Sequence, residues 1–291
     1  MIIIIIYNKG AKMKNISEVE SIKLGNGETE SYSTKEDYIK LQSKWFNEEE
    51  GELNKEDGID CPICKNKGHI SYVENGIEYI KDCKCMIKRK TYFRILNCGL
   101  SKEALENYTM KNWQTNDEWQ KSLLQKCRDF FMNVRDKKGN WFILSGMSGC
   151  GKTHLCTALF KELVYSFYLS GFYMLWNEEM PKLASMRKSS ASENQEKYEK
   201  RLNELKNCDI LYIDDLFKLD SRNKDDSISI CYEILNYRYI NNKITMISTE
   251  IERKQFENID TAIWGRIFEK SGKGLYWLTI TGEGKNFRAK G

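Results

Sequence analysis

Apolar positions recur along the chain at two spacings, and each spacing predicts a kind of element. Between Thr34 and Glu50 the residues Tyr38, Leu41, Trp45 and Phe46 stand at helical spacing and predict a short amphipathic helix. Farther on, His69 to Val73 and Ile77 to Ile80 flank Asn75-Gly76, a pair suited to a tight turn, and predict a small hairpin. From about Asn97 to the end, short apolar runs alternate with helical stretches. Asn140 to Ser145, Cys208 to Asp214 and Lys243 to Glu250 read as strands, with the third expected beside the second. This alternation predicts an α/β fold, a parallel sheet with helices on it. Residues 1 to 34 are polar and glycine-punctuated after their first few positions, and are expected to form a mobile N-terminal segment.

Composition narrows the class. The chain has 291 residues, 41% of them hydrophobic, which is enough for a sizeable core and excludes a disordered chain. The longest apolar run, Ile2 to Tyr7, is far short of the roughly 20 residues of a membrane span. It also lacks the basic flank and cleavage site of a signal peptide, so a cytoplasmic protein is expected, with Met13 as a second candidate start. Net charge is only +4, but the signs are segregated. Glu18 to Asp60 carries 13 acids against 5 lysines, and Cys61 to Lys102 carries 9 basic residues against 3 acids. The flip suits either two solvated faces or an acidic partner-facing arm followed by a basic surface.

The sign changes at a cysteine cluster. Cys61-Pro-Ile-Cys64 and Cys83-Lys-Cys85 bracket the hairpin and would bring four thiols to one point. Four thiolates suit tetrahedral Zn2+, which supplies folding free energy that so short a segment cannot draw from a core. Four ordinary buried cysteines, or a variant site that uses His69, are the alternatives. A catalytic zinc is not expected, because four thiolates leave no open position.

The first strand of the α/β region runs into Gly146-Met147-Ser148-Gly149-Cys150-Gly151-Lys152-Thr153, followed by His154 and a helical stretch. This is G-x-x-x-x-G-K-T, the Walker A loop. Its backbone N–H groups face phosphate oxygens, Lys152 reaches the β and γ phosphates, and Thr153 ligates Mg2+. The strand ending in Asp214-Asp215 supplies the Walker B acids: Asp214 for Mg2+, Asp215 to orient or deprotonate the attacking water. The tip of the third run, at Thr249 and Glu250, would reach the γ phosphate. Arg266 opens a predicted helix and would suit the charge of phosphate transferred in a neighbouring subunit, or a surface ion pair.

From Asn97 to the C-terminus this succession resembles the AAA+ helicase loaders, the DnaC/DnaI-like branch that also includes the IstB-like transposition helpers. The likeness is carried by Gly146 to Leu155, Leu211 to Leu216, Tyr232 to Ile240, Thr245 to Glu250, Trp264 to Phe268 and Leu278 to Arg288. The cysteine module in front looks like that of the loaders, where such a region grips the replicative helicase. The resemblance implies residues 35–96 as a helicase-interacting region with its zinc module at 61–85. It implies residues 97–291 as an AAA+ P-loop ATPase domain without the helical C-terminal lid. It further implies ATP binding at subunit boundaries through self-association, Arg266 as a finger acting in trans, and Thr249 at the sensor 1 position. The sequence departs at Glu250, where the branch usually has Asn, and at Phe217, where a small residue is usual.

Loaders of this kind are expected to contact single-stranded DNA between the P-loop helix and the Walker B strand. Here that region offers Tyr173, Trp176, Arg187 and Lys188; the other reading is core aromatics beside a solvated helix face. The sequence thus predicts an ATP-dependent loader of a hexameric replicative DNA helicase. Two alternatives stand beside it: a transposition helper that coats duplex DNA, and a nucleotide-gated adaptor that barely hydrolyses ATP.

Overall fold

The structure, a computed structural model, describes residues 21–23, 29–31, 34–134, 139–218, 224–282 and 285–287. Apart from two short strands and Thr34, the expected mobile segment lies outside the described residues. The chain divides into two compact units, Met1–Lys90 and Thr91–Gly291.

In the first unit β1 (Ser21–Lys23) and β2 (Thr29–Ser31) pair antiparallel. The predicted amphipathic helix is α1 (Lys35–Glu48). Thr34 caps it: the Thr34 hydroxyl accepts from the Asp37 N–H, and the Asp37 carboxylate accepts from the Thr34 N–H, both at 3.1 Å. A short α2 (Leu53–Asp57) follows, and then the predicted hairpin, β3 (His69–Glu74) and β4 (Ile77–Asp82). Its turn residues Asn75 and Gly76 both have positive φ, +52° and +72°. The apolar positions of α1 are half-buried, and its most buried residue is Ser43. The reason is polar docking on the hairpin. Ser71 donates to the Ser43 hydroxyl, and Asn47 exchanges two hydrogen bonds with the Ser71 backbone. The helix α3 (Cys85–Leu96) begins at the last cysteine of the cluster, and the division between the units falls within it.

The second unit is the predicted parallel sheet flanked by helices. It starts with α4 (Lys102–Asn107) and α5 (Glu118–Asn133). Strands then alternate with helices: β5 (Trp141–Gly146), α6 (Lys152–Phe167), β6 (Gly171–Leu175), α7 (Trp176–Lys188), α8 (Ser192–Asn207), β7 (Ile210–Asp214), α9 (Lys224–Ile240) and β8 (Ile244–Thr249). It closes with α10 (Arg253–Ile259), α11 (Thr261–Lys270) and β9 (Trp277–Ile280). The strand order is β6-β7-β8-β5-β9 and every neighbouring pair is parallel. The third run therefore lies beside the second, as its sequence predicts.

Strand side chains alternate between two cores. Phe142, Leu144, Tyr212 and Met246 face one, with Leu155, Leu159 and Leu163 of α6. Trp141, Ile143, Ile213 and Ile247 face the other, with residues of α7 to α11. Burial on both faces explains why the strands read as continuous apolar runs. Because the strands are parallel, the carboxyl ends of β5, β7 and β8 lie at one edge, where open parallel sheets hold their ligands.

A buried guanidinium ties the second core to the sheet. Arg238 of α9 is 0% exposed. Its Nη1 donates to the carbonyls of Leu205, Lys206 and Cys208 at the end of α8, its Nε donates to the Thr245 hydroxyl, and its Nη2 donates to the Ile244 carbonyl. Burial pushes its pKa down. The C-terminal carbonyls of α8 favour the positive charge that burial penalises. Replacing Arg238 with Met fills much of the volume but strands these carbonyls. The expected outcome is a loss of about 3 kcal/mol of stability in urea unfolding, with the sheet otherwise intact by circular dichroism.

Candidate nucleotide and metal sites

The Walker A loop leaves β5 through glycines that only glycine can occupy at this spacing. Gly146, Gly149 and Gly151 have φ of +152°, +77° and +87°. A Cβ on Gly149 would stand 2.1 Å from Asn286 Oδ1, and one on Gly151 would stand 2.7 Å from the Trp113 ring. The loop is therefore shaped by conformation and by close neighbours from both sides of the sequence. Lys152, 5% exposed, donates from Nζ to the carbonyls of Gly146 and Met147, each at 2.9 Å. His154 stacks on Tyr108 at 5.1 Å, and its Nε2 lies 3.0 Å from the Thr109 carbonyl oxygen. Cys150 is fully buried, while Met147 and Ser148 are exposed.

A cavity of about 300 Å3 opens over this loop. Part of its lining is aromatic and amide: Tyr108, Asn112, Trp113, Gln114 and Phe287. The rest is Ser148, Gly149, Gly151, Lys152, Thr153 and His154 from the loop, with Asp215, Lys218 and Glu250. The N-terminus of α6 supplies N–H groups to the same space, the standard chemistry of a phosphate site. The aromatic wall suits the flat face of a nucleobase.

Asp214 ends β7 at 2% exposure. Its carboxylate accepts from the hydroxyls of Thr153 (3.1 and 3.2 Å), Tyr173 (3.0 Å), Tyr212 (2.8 Å) and Ser248. Burial first, and then the Asp214 charge, push both tyrosine hydroxyls up, which keeps them protonated donors. Thr153 and Asp214 thus meet directly, as a shared Mg2+ requires.

Asp215 has φ of +56°, and its side chain, 20% exposed, pairs with Lys218 at 3.2 Å. Lys218 also pairs with Glu250 at 2.8 Å. Burial works to raise the Glu250 carboxyl, but Lys218 and Lys152 outweigh it and hold it low.

Thr249 departs from its expected place. It is 0% exposed, and its hydroxyl donates to the Leu216 carbonyl at 2.8 Å, so Glu250 and not Thr249 lines the cavity. Side-chain alternation along β8 is the cause: a residue that faces the interior puts its successor at the open edge. Arg266 lies on α11, away from its own chain's cavity. Its guanidinium donates to Asn236 Oδ1 (2.7 and 2.9 Å), the Tyr232 hydroxyl and the Ala262 carbonyl, and it packs 4.7 Å above the Tyr232 ring.

The expected DNA contacts are not brought together. Trp176 is fully buried in the second core, and Tyr173 is committed to Asp214. Arg187 and Lys188 lie exposed in the last turn of α7, bonded to Ser229 and Asp226 of α9. Tyr173 on β6 and Trp176 at the start of α7 both spend their rings on interior contacts, so aromatic content near basic residues does not by itself make a stacking surface.

In the first unit the four thiols of Cys61, Cys64, Cys83 and Cys85 converge, all within 4.8 Å of one another and all buried. Cys61 and Cys83 sulfurs are 3.8 Å apart, and Cys64 and Cys85 sulfurs 3.5 Å. Tetrahedral zinc at about 2.3 Å from each sulfur spaces them about 3.8 Å apart, whereas a disulfide needs about 2.05 Å. The donor set fits zinc. The Gly68 N–H donates to Cys64 Sγ at 3.3 Å, as a knuckle would. His69 is exposed and pairs with Asp82, which leaves it outside the cluster. Beside the thiols, Arg89 is 1% exposed and bonds both oxygens of Asp57 at 2.5 and 2.6 Å. Burial opposes its charge, but Cys85 and Asp57 outweigh that and raise its pKa.

Residues that sequence reasoning missed include Trp113, Phe287, Tyr212, Ser248 and Lys218. None of them is marked by a local motif in the sequence.

Comparison with known proteins agrees with this geometry. Residues 126–272 match the family of the bacterial DnaA ATPase domain. The chain is 30% identical over 240 residues to the phage-like element PBSX protein XkdC of Bacillus subtilis (strain 168), covering 80% of this chain and 87% of that protein. It is 23% identical over 189 residues to the replicative helicase loader DnaC of Buchnera aphidicola subsp. Baizongia pistaciae (strain Bp), covering 64% and 72%. The crystal structure of a DNA replication initiation factor shares the fold, with a TM-score of 0.50 at 19% identity over 64% of this chain and 52% of that one.

The crowding at Gly151 is testable. Gly151→Ala is expected to weaken nucleotide binding at least tenfold by calorimetry, because the new methyl meets Trp113 and φ is positive. Gly58→Ala is the control: its φ is +68°, but a Cβ there meets nothing within 4 Å. It is expected to lower stability by about 1 kcal/mol and to leave nucleotide binding unchanged.

Proposed function

We propose, since this chain belongs to the family of the bacterial DnaA ATPase domain, that it is an ATP-dependent loader of a replicative DNA helicase. One observation carries the reading: Lys152, Thr153 and Asp215 line one cavity beneath an aromatic wall, and Thr153 is hydrogen-bonded to Asp214 behind it. In ATP, the triphosphate takes the place of the loop carbonyls that now hold Lys152. The α6 N–H groups receive phosphate oxygens, and the base lies on Tyr108, Trp113 and Phe287. Thr153 and Asp214 hold Mg2+, which supplies charge neutralisation at the phosphates. Asp215 orients the water that attacks.

Arg266 serves the neighbouring protomer. Its guanidinium is held by α9 and α11 and does not line its own cavity, which suits a finger acting in trans. Residues 35–96, with zinc on Cys61, Cys64, Cys83 and Cys85, hold the hexameric helicase in the cytoplasm, and residues 97–291 self-associate. Among the described residues no helix is long and apolar enough to cross a membrane. Single-stranded DNA follows exposed cations such as Arg187 and Lys188 by its backbone. A second reading, the nucleotide-gated adaptor, draws on the Asp215–Lys218 ion pair, which occupies the carboxylate that hydrolysis needs.

Native mass spectrometry of the zinc-loaded protein with its host's replicative helicase, with and without ATP, tests the loader. The expected result is a ring-sized complex that disappears when Cys61 and Cys64 become Ser. No complex in any nucleotide state, together with assembly on duplex DNA, would favour the transposition helper instead. For the finger, Arg266→Ala is expected to lower ATPase turnover roughly a thousandfold while nucleotide affinity stays within about twofold. Equal loss of both would rule out the trans role, and turnover near zero in the wild type with all partners present would favour the adaptor.

A further inference from the structure

The turn after β7 brings a cation to the nucleotide cavity that no sequence motif specifies. Asp215 and Phe217 both sit at left-handed φ, +56° and +60°, a conformation that L side chains adopt only when their surroundings enforce it. Here three hydrogen bonds enforce it: Leu216 N–H to the Ser248 carbonyl, Lys218 N–H to the Asp215 carbonyl, and the Thr249 hydroxyl to the Leu216 carbonyl. Phe217 is clamped between Trp176 and Phe256, with ring centroids 5.8 and 5.6 Å away. The chain therefore doubles back, and Lys218 joins the wall of the cavity that already contains Lys152. This also gives buried Thr249 a role, since its hydroxyl holds the turn.

Lys218 stands between two acids on that wall, 2.8 Å from Glu250 and 3.2 Å from Asp215. Its side chain is 42% exposed, and those of Glu250 and Asp215 are 32% and 20% exposed. Ion pairs this accessible are screened by water and contribute little, so the ammonium leaves them readily for a stronger acceptor. A terminal phosphate is such an acceptor: it adds negative charge to a cavity that already holds two carboxylates. Lys152 and Lys218 are the lysines among the described lining residues.

We propose that Lys218 distinguishes a nucleoside triphosphate from a diphosphate. It pairs with Asp215 and Glu250 when no terminal phosphate is present, and it moves to that phosphate when one is. Departure of the ammonium frees Asp215 for water, so recognition of the triphosphate and readiness to hydrolyse it become one event. The proposal rests on the reading of the cavity as an ATP site.

The test is calorimetric titration of the full chain with ADP and with the non-hydrolysable adenylyl imidodiphosphate, both with Mg2+, using wild type, Lys218→Met, Lys218→Arg and Lys152→Ala. The expected result for Lys218→Met is a triphosphate affinity about tenfold lower with ADP affinity unchanged. Lys218→Arg is expected to restore most of the difference, and unchanged thermal denaturation would show an intact fold. Equal weakening of both nucleotides, no change in either, or a wild type without preference between them would overturn the assignment of Lys218 alone. A wild type that binds neither nucleotide, indistinguishable from Lys152→Ala, would overturn the ATP site itself and this proposal with it.

Discussion

The Asp214 carboxylate, 2% exposed at the end of β7, is the charge around which the nucleotide end of the sheet is assembled. Left alone, a carboxylate at that depth would be destabilising on the order of several kcal/mol. Hydroxyls from α6, β6, β7 and β8 converge on it instead, and hydrogen bonds to a charged acceptor are worth about 1.5–3 kcal/mol each. The same four bonds therefore stabilise the ion and fix the relative positions of three strands and the P-loop helix. Two of the donors are tyrosines that burial holds protonated.

Close packing then shapes the loop above it. Trp113, ahead of the sheet, presses on Gly151. Asn286, near the other end of the chain, presses on Gly149, and the Phe287 N–H donates to the Gly149 carbonyl. Trp113 and Phe287 also touch each other, with ring centroids 6.0 Å apart. The cavity is thus walled by segments more than 170 positions apart in sequence, and its aromatic part exists only when both have docked.

The first unit solves a different problem. Its buried apolar cluster is made of four cysteines with Ile70 packed against them, too little to hold a small unit by burial alone. Polar docking of α1 on the hairpin and the Asp57–Arg89 pair add specific contacts. Convergence of four thiols offers a donor set that fits a metal ion, whose binding would stabilise a segment this short.

What could be read from the sequence was whatever local periodicity or backbone conformation dictates. Strands buried on both faces had to be apolar runs, the hairpin turn had to be Asn75-Gly76 or something equally tolerant of positive φ, and a phosphate loop had to be glycine-rich with Lys152 and Thr153 at fixed offsets. The spacing of the cysteines likewise foretold one cluster of thiols. Which side of a strand a residue faces, and what reaches it from far along the chain, was decided only by tertiary structure. Trp176 and Thr249 carry nothing in their neighbours to say that one fills a core and the other holds a turn. Nor does Lys218 announce that two left-handed residues will curl it back toward the cavity. Local sequence constrains dihedral angles and periodicity; hydrogen-bond partners and burial depend on where the rest of the chain packs, and that information is spread over the whole sequence.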